Sequence, residues 1–228
     1  MNSATDRQLT LDIAARRPRY GRLDFEVGVS NRAAIAAVDA FAASAEPALA
    51  ICGPAGSGKT HLANILAAEN GAAVLDARDM DIISSASGPL IVVDDTDACP
   101  DPRALLVLVE ARRTNGAKLA LAGRGRPAAW ARGLKDLATR LEAMTRASLD
   151  EPDEALMRAV IAHRFRERQW RAGARVAAYA APRLPRTFAA AAAFVDAVGA
   201  AAIAASTPIS VTVARKVLAE LSGSRAAE

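Results

Sequence analysis

The eight residues GPAGSGKT, Gly53 to Thr60, restrict what this chain can fold into more than any other stretch. They follow the apolar run ALAIC, and a helix is expected to begin near Lys59. A buried strand that runs through a glycine loop into a helix lets backbone N–H groups converge on one point, where the helix N-terminus adds positive potential. The pattern G-x-x-x-x-G-K-[ST] then sets Lys59 to reach β- and γ-phosphates and Thr60 to hold Mg²⁺. The expectation is a nucleotide phosphate loop built from Gly53, Pro54, Ala55, Gly56, Ser57, Gly58, Lys59 and Thr60.

A second apolar run, LIVV at 90–93, ends in Asp94 and Asp95. At a strand end beside a phosphate loop, Asp94 is expected to organise the Mg²⁺ shell. Asp95 would polarise a water for attack on the γ-phosphate. Strands are read at 48–53, 72–77, 89–95 and 117–122. They lack alternation, which marks burial on both faces and parallel pairing. Helices are read at 30–43 (with Ser30 or Asn31 as N-cap), from 59 onward, at 101–114 and at 133–142. Strands alternating with helices give a doubly wound α/β layer. After RASLDEP the strands stop, and helices follow at about 153–171, 173–181, 186–204 and 210–221. The expected domains are a tail at 1–22, an α/β nucleotide-binding unit at 23–150 and a helical unit at 151–228.

Hydrophobic residues make up 52% of the chain but aromatics only 4%, so alanine fills much of the core and favours helix. No signal peptide is apparent, and Cys52 and Cys99 are read as reduced thiols. No apolar run has the roughly 18 residues of a membrane span, because Asp196 and Gly199 interrupt the alanine-rich stretch 189–205. A cytoplasmic protein with no membrane contact is expected. The formal charge of +4 comes from arginine and reads as a solvated surface rather than a nucleic-acid signal.

GKTHL (58–62), VVDD (92–95) and FEVGVSNR (25–32) together resemble the AAA+ ATPase core of the bacterial replication initiator DnaA, over about residues 23–222. The resemblance implies an α/β AAA+ P-loop core with a parallel sheet, a small α-helical lid, and ADP or ATP with Mg²⁺ as cofactors. In the family the FEVGVSNR segment packs around adenine, which adds Phe25, Val27 and Asn31 to the cofactor-binding residues. His61 joins them as part of GKTHL, although alone it reads as a helix-surface residue. LATRLEA (137–143) is similar to the family's arginine-finger box and places Arg140, acting across a subunit interface. RLPRTFAAAAAF (183–194) is similar to the second sensor and places Arg186 on a lid helix. Two departures stand out. The strand KLALAGRGRP offers Ala122 and Gly123 where the family has a water-placing polar residue, so self-hydrolysis should be slow unless Arg124 substitutes. The sequence also stops at Glu228, just past the lid, so the initiator's DNA-reading and N-terminal domains are expected to be absent.

Near the N-terminus, QLTLDI (8–13) alternates polar and apolar residues. Such a row is either an edge strand or a peptide held out for another protein. It is similar to the sliding-clamp-binding hexapeptide of Hda-type regulatory inactivators of DnaA, with Gln8, Leu9, Leu11 and Ile13 at the clamp-binding positions. Asp12 departs from a frequent proline. That resemblance implies an adaptor tethered to the DNA polymerase β clamp, docked on DnaA and supplying Arg140 to its ATP. DNA would be met only through the clamp, and a homodimer or oligomer is open. Two alternatives stand beside it. One is a DNA-stimulated ATPase of the helicase-loader or transposition type, using the basic stretch 158–171 on DNA. The other is a tethering scaffold in which nucleotide is structural.

Overall fold

The computed structural model, which describes residues 20–79, 85 and 87–225, with side chains to 222, has a sheet of five parallel strands. Strands β1 (Ala48–Gly53), β2 (Val74–Asp76), β3 (Leu90–Asp94), β4 (Lys118–Arg124) and β5 (Thr145–Ser148) lie in the order β2-β3-β4-β1-β5. β1 is an inner strand: Cys52 pairs with Gly123 of β4 on one side and with Ser148 of the edge strand β5 on the other. Its residues Leu49, Ala50 and Ile51 are fully buried. Burial of each such leucine or isoleucine contributes about 1.5–3 kcal/mol.

The fifth strand goes beyond the four read from the sequence. TRAS carries one buried residue, Ala147, in an otherwise exposed edge, so it has neither an apolar run nor a clear alternation. Its pairing with β1 makes it a strand, a long-range cause that no local pattern announces.

Helices α1 (Arg32–Ala43), α2 (Lys59–Glu69), α3 (Pro102–Asn115) and α4 (Lys135–Glu142) cover the sheet. Ala34, Ile35, Val38 and Phe41 of α1 share one face and join β1 and α2 in one apolar cluster. α3 has a self-contained start and stop: Asp101 accepts from the Arg103 backbone N–H, Pro102 opens the first turn and Gly116 closes it in the left-handed region. Beyond β5 come α5 (Glu154–Glu167), α6 (Ala174–Ala180), α7 (Phe188–Ala204) and α8 (Val211–Arg225). Met157, Ile161, Phe165, Phe194 and Val198 anchor a separate apolar cluster among these helices. Asp153 caps α5 through the Leu156 N–H at 2.8 Å, and Thr187 caps α7 through the Ala190 N–H at 3.1 Å. The expected long helix 153–171 ends at Glu167, where Gln169 turns to a φ of +57°. The hexapeptide Gln8–Ile13 lies outside the described residues. Among the described residues no helix is long and apolar enough to cross a membrane.

Candidate functional site

The loop between β1 and α2 curls because glycine takes conformations closed to other residues. Gly56 has φ +72° and Gly58 +98°. The space there is also taken: a Cβ on Gly56 would meet Thr187 at 2.6 Å, and one on Gly58 would meet the Phe188 ring at 2.9 Å. The lid therefore rests on the loop, and the Phe188 N–H donates to Gly56 O at 3.2 Å. Lys59 is buried and folds back onto the loop, donating to Pro54 O at 2.7 Å and Gly53 O at 3.1 Å. Burial pushes its ammonium below the ordinary lysine value, with Asp97 and Asp94 opposing. An ammonium held in this cradle is suited to exchange loop carbonyls for phosphate oxygens.

Asp94 ends β3, as expected, and its Oδ1 is buried with no hydrogen-bond partner. A buried carboxylate oxygen left without a donor fits a hydrated Mg²⁺ held together with Thr60. Asp95 follows in the left-handed region at φ +51° and lines the pocket. Its carboxylate accepts from Arg78 Nη2 at 2.5 Å, and Arg78 also donates to Asp76 at 2.8 Å. The second acid thus starts ion-paired rather than free to polarise water. At the end of β4, Ala122 is fully buried and Gly123 lies under Trp130, whose ring would stand 2.7 Å from a Cβ. Arg124 reaches the pocket wall, its backbone N–H held by Asp97 at 2.8 Å. The strand end therefore offers Arg124, not a neutral polar group.

A cavity of about 510 Å³ opens between the loop, the segment before α1 and the lid, within the range of small-ligand sites. Phe25 lines it and is buried. His61 lines it too, but acts on the chain: its Nε2 donates to Gly21 O at 3.0 Å and its ring forms T-shaped pairs with Phe25 and Tyr20. Burial lowers its pKa from the ordinary 6.5 and favours the neutral ring. Asn31 stands at the N-cap of α1 without capping it. Its amide instead closes the preceding loop, accepting from Gly28 N–H at 2.8 Å and donating to Glu26 O at 2.9 Å. Val27 is 52% exposed and does not line the cavity.

Neither expected arginine lines it. Arg186 is exposed, one residue before the Thr187 cap that touches Gly56. Arg140 lies on α4, where its guanidinium meets Glu110 at 2.6 Å and Asp136 at 3.3 Å. The structure adds lid residues that the sequence did not assign to a site: Val160, which reads there as a packing residue, and His163, Glu167 and Ala192 all line the cavity. Their one readable signal is the i, i+4 spacing of His163 and Glu167, which puts both on one helix face.

No known family's sequence profile matches the chain, and no curated protein matches it by sequence. Solved structures do match by shape. Domain III of the replication initiation protein DnaA from Thermotoga maritima superimposes with a TM-score of 0.77 at 16% identity, covering 89% of this chain and 97% of that one. The Thermotoga maritima RuvB Holliday junction branch migration motor gives 0.66 at 18% identity, over 82% of this chain and 67% of that one. AMPPCP-bound DnaA from Aquifex aeolicus gives 0.68 at 18% identity, over 80% and 65%. At these identities the likeness establishes the fold: an α/β AAA+ P-loop core carrying a helical lid.

Proposed function

We propose that the chain is a nucleotide-binding AAA+ adaptor that inactivates the replication initiator DnaA. In this reading ADP or ATP with Mg²⁺ occupies the cavity and fixes the lid against the core. The tail hexapeptide, Gln8, Leu9, Leu11 and Ile13, engages the β sliding clamp. Arg140 is presented to ATP bound on DnaA, speeding its hydrolysis and preventing re-initiation.

The observation that carries this reading is a division of parts. The chain's own cavity has the phosphate loop, yet Asp95 is paired with Arg78 and β4 ends without a water-placing polar side chain. Arg140, meanwhile, lies away from that cavity. A site that binds but is poorly equipped to hydrolyse, joined to an arginine turned elsewhere, suits a protein that acts on a partner's nucleotide. The DNA-stimulated ATPase reading is less favoured by the side chains of α5. Arg158 is paired with Glu154 and Arg166 with Glu26, while Arg168, just past the helix end, is paired with Asp196. Ile161 and Phe165 are buried.

The test is binding of the full chain to purified clamp. Triple substitution of Gln8, Leu11 and Ile13 by alanine is expected to abolish binding. Unchanged binding would remove the tether from this account, and single-stranded DNA stimulating the chain's own ATPase would favour the loader reading.

A further inference from the structure

At the wall of the cavity, three ligand-type side chains from two distant parts of the chain converge. Asp24 lies just before α1, and His163 and Glu167 stand one turn apart on α5. One ligand atom from each lies within 4.8 Å of the others. All three line the cavity, on the side formed by the pre-α1 segment and the lid.

Two carboxylates flank the His163 ring, and its Nδ1 lies 3.0 Å from Glu26 Oε1, an ion-pair separation. With the ring proton on that nitrogen, the other carries the lone pair. That nitrogen, Nε2, is buried without a hydrogen-bond partner, and the nearest Asp24 oxygen is 3.8 Å away, too far for a bond. His163 Nε2 thus stands beside the Asp24 and Glu167 carboxylates while making no hydrogen bond of its own. A cation placed among them satisfies all three, and a carboxylate behind the imidazole is the usual outer partner of a metal-bound histidine. Arg166 meets the same Glu26 from outside the cluster, at 3.3 Å.

We propose that Asp24, His163 and Glu167 form a transition-metal site that ties the pre-α1 segment to the lid. One imidazole with two carboxylates suits Zn²⁺-like ions, whereas Mg²⁺ prefers an all-oxygen octahedral shell. The site is separate in chemistry from the Mg²⁺ position at Asp94 and Thr60. An ion here would hold the pre-α1 segment against the lid, so a bound nucleotide would leave more slowly.

The test uses the untagged full chain with ADP and excess Mg²⁺, titrated with Co²⁺ and followed by its visible absorption. The expected result is one Co²⁺ per chain, displaced by Zn²⁺ and indifferent to Mg²⁺. Glu167→Gln and Asp24→Asn, which preserve shape, should each weaken binding at least about tenfold, and Glu26→Gln by about 10- to 100-fold through the ring it orients. Because His163→Ala is open to failure by misfolding, these variants carry the decision. The proposal is overturned by absence of saturable uptake, by uptake that Mg²⁺ abolishes, or by full-strength uptake in both Glu167→Gln and Asp24→Asn. A sulfur-to-cobalt charge-transfer band would also overturn it, since it would place the metal on Cys52 or Cys99.

Discussion

His61 illustrates how a residue inside a nucleotide-binding motif can serve the chain itself. Its neutral ring donates to Gly21 O and packs T-shaped with Phe25, so it fixes the segment that walls the cavity. Burial lowers its pKa from 6.5, so just below that pH the unfolded chain holds more protons than the native one. The stabilisation is therefore complete above 6.5 and declines as pH falls below it. Thermal melts of the parent chain and His61→Gln, compared between pH 8 and pH 5.5, should show the parent losing its advantage on the acid side. A pH-independent difference would mean the ring contributes only packing. Arg22 secures the same segment through exposed ion pairs to Asp39 and Glu69, each at 2.5 Å. Such pairs contribute about 0–1 kcal/mol each, so the buried Phe25 and His61 contacts hold the segment more firmly.

Among the elements, the contact between the phosphate loop and α7 closes one side of the cavity. Gly56→Ala adds a Cβ 2.6 Å from Thr187 to a residue already at φ +72°. Gly71→Ala has the same backbone penalty at φ +63° with nothing within 4 Å. Calorimetry should show Gly56→Ala losing about 1–3 kcal/mol of stability and Gly71→Ala the smaller share of that range. Only Gly56→Ala should weaken nucleotide binding, by about tenfold or more, since it alone lifts the lid from the loop. Equal affinity in the two variants would show that the lid contact does not support binding.

How far such elements were legible depended on whether their cause was local. β1, β3 and β4 follow from uninterrupted apolar runs, and the phosphate loop from glycine and lysine spacing. β5 stayed hidden because its single buried side chain gains strand character only from lying beside β1. The cavity's lid wall was equally unreadable. His163 and Glu167 look like one face of a charged helix until folding brings Asp24 and Glu26 across from them. The ion pairs of Asp95 and Arg140 depend likewise on partners 17 and 30 positions away.

For the whole molecule, the proposed function divides binding and hydrolysis between two proteins. The chain's own site keeps Lys59, Thr60 and Asp94 while Arg78 occupies Asp95. Arg140 is held by Glu110 and Asp136 with 32% of its side chain still exposed. A partly exposed pair of this kind is worth about 0–1 kcal/mol, so a partner's phosphate can displace it at little cost. Arg140→Ala should accordingly leave the fold and nucleotide binding intact. The decisive measurement is conversion of DnaA-bound ATP to ADP in the presence of clamp-loaded DNA. The parent chain is predicted to accelerate it, with the acceleration lost in Arg140→Ala. Acceleration that survives in Arg140→Ala would contradict the assignment of the arginine and the division of labour built on it.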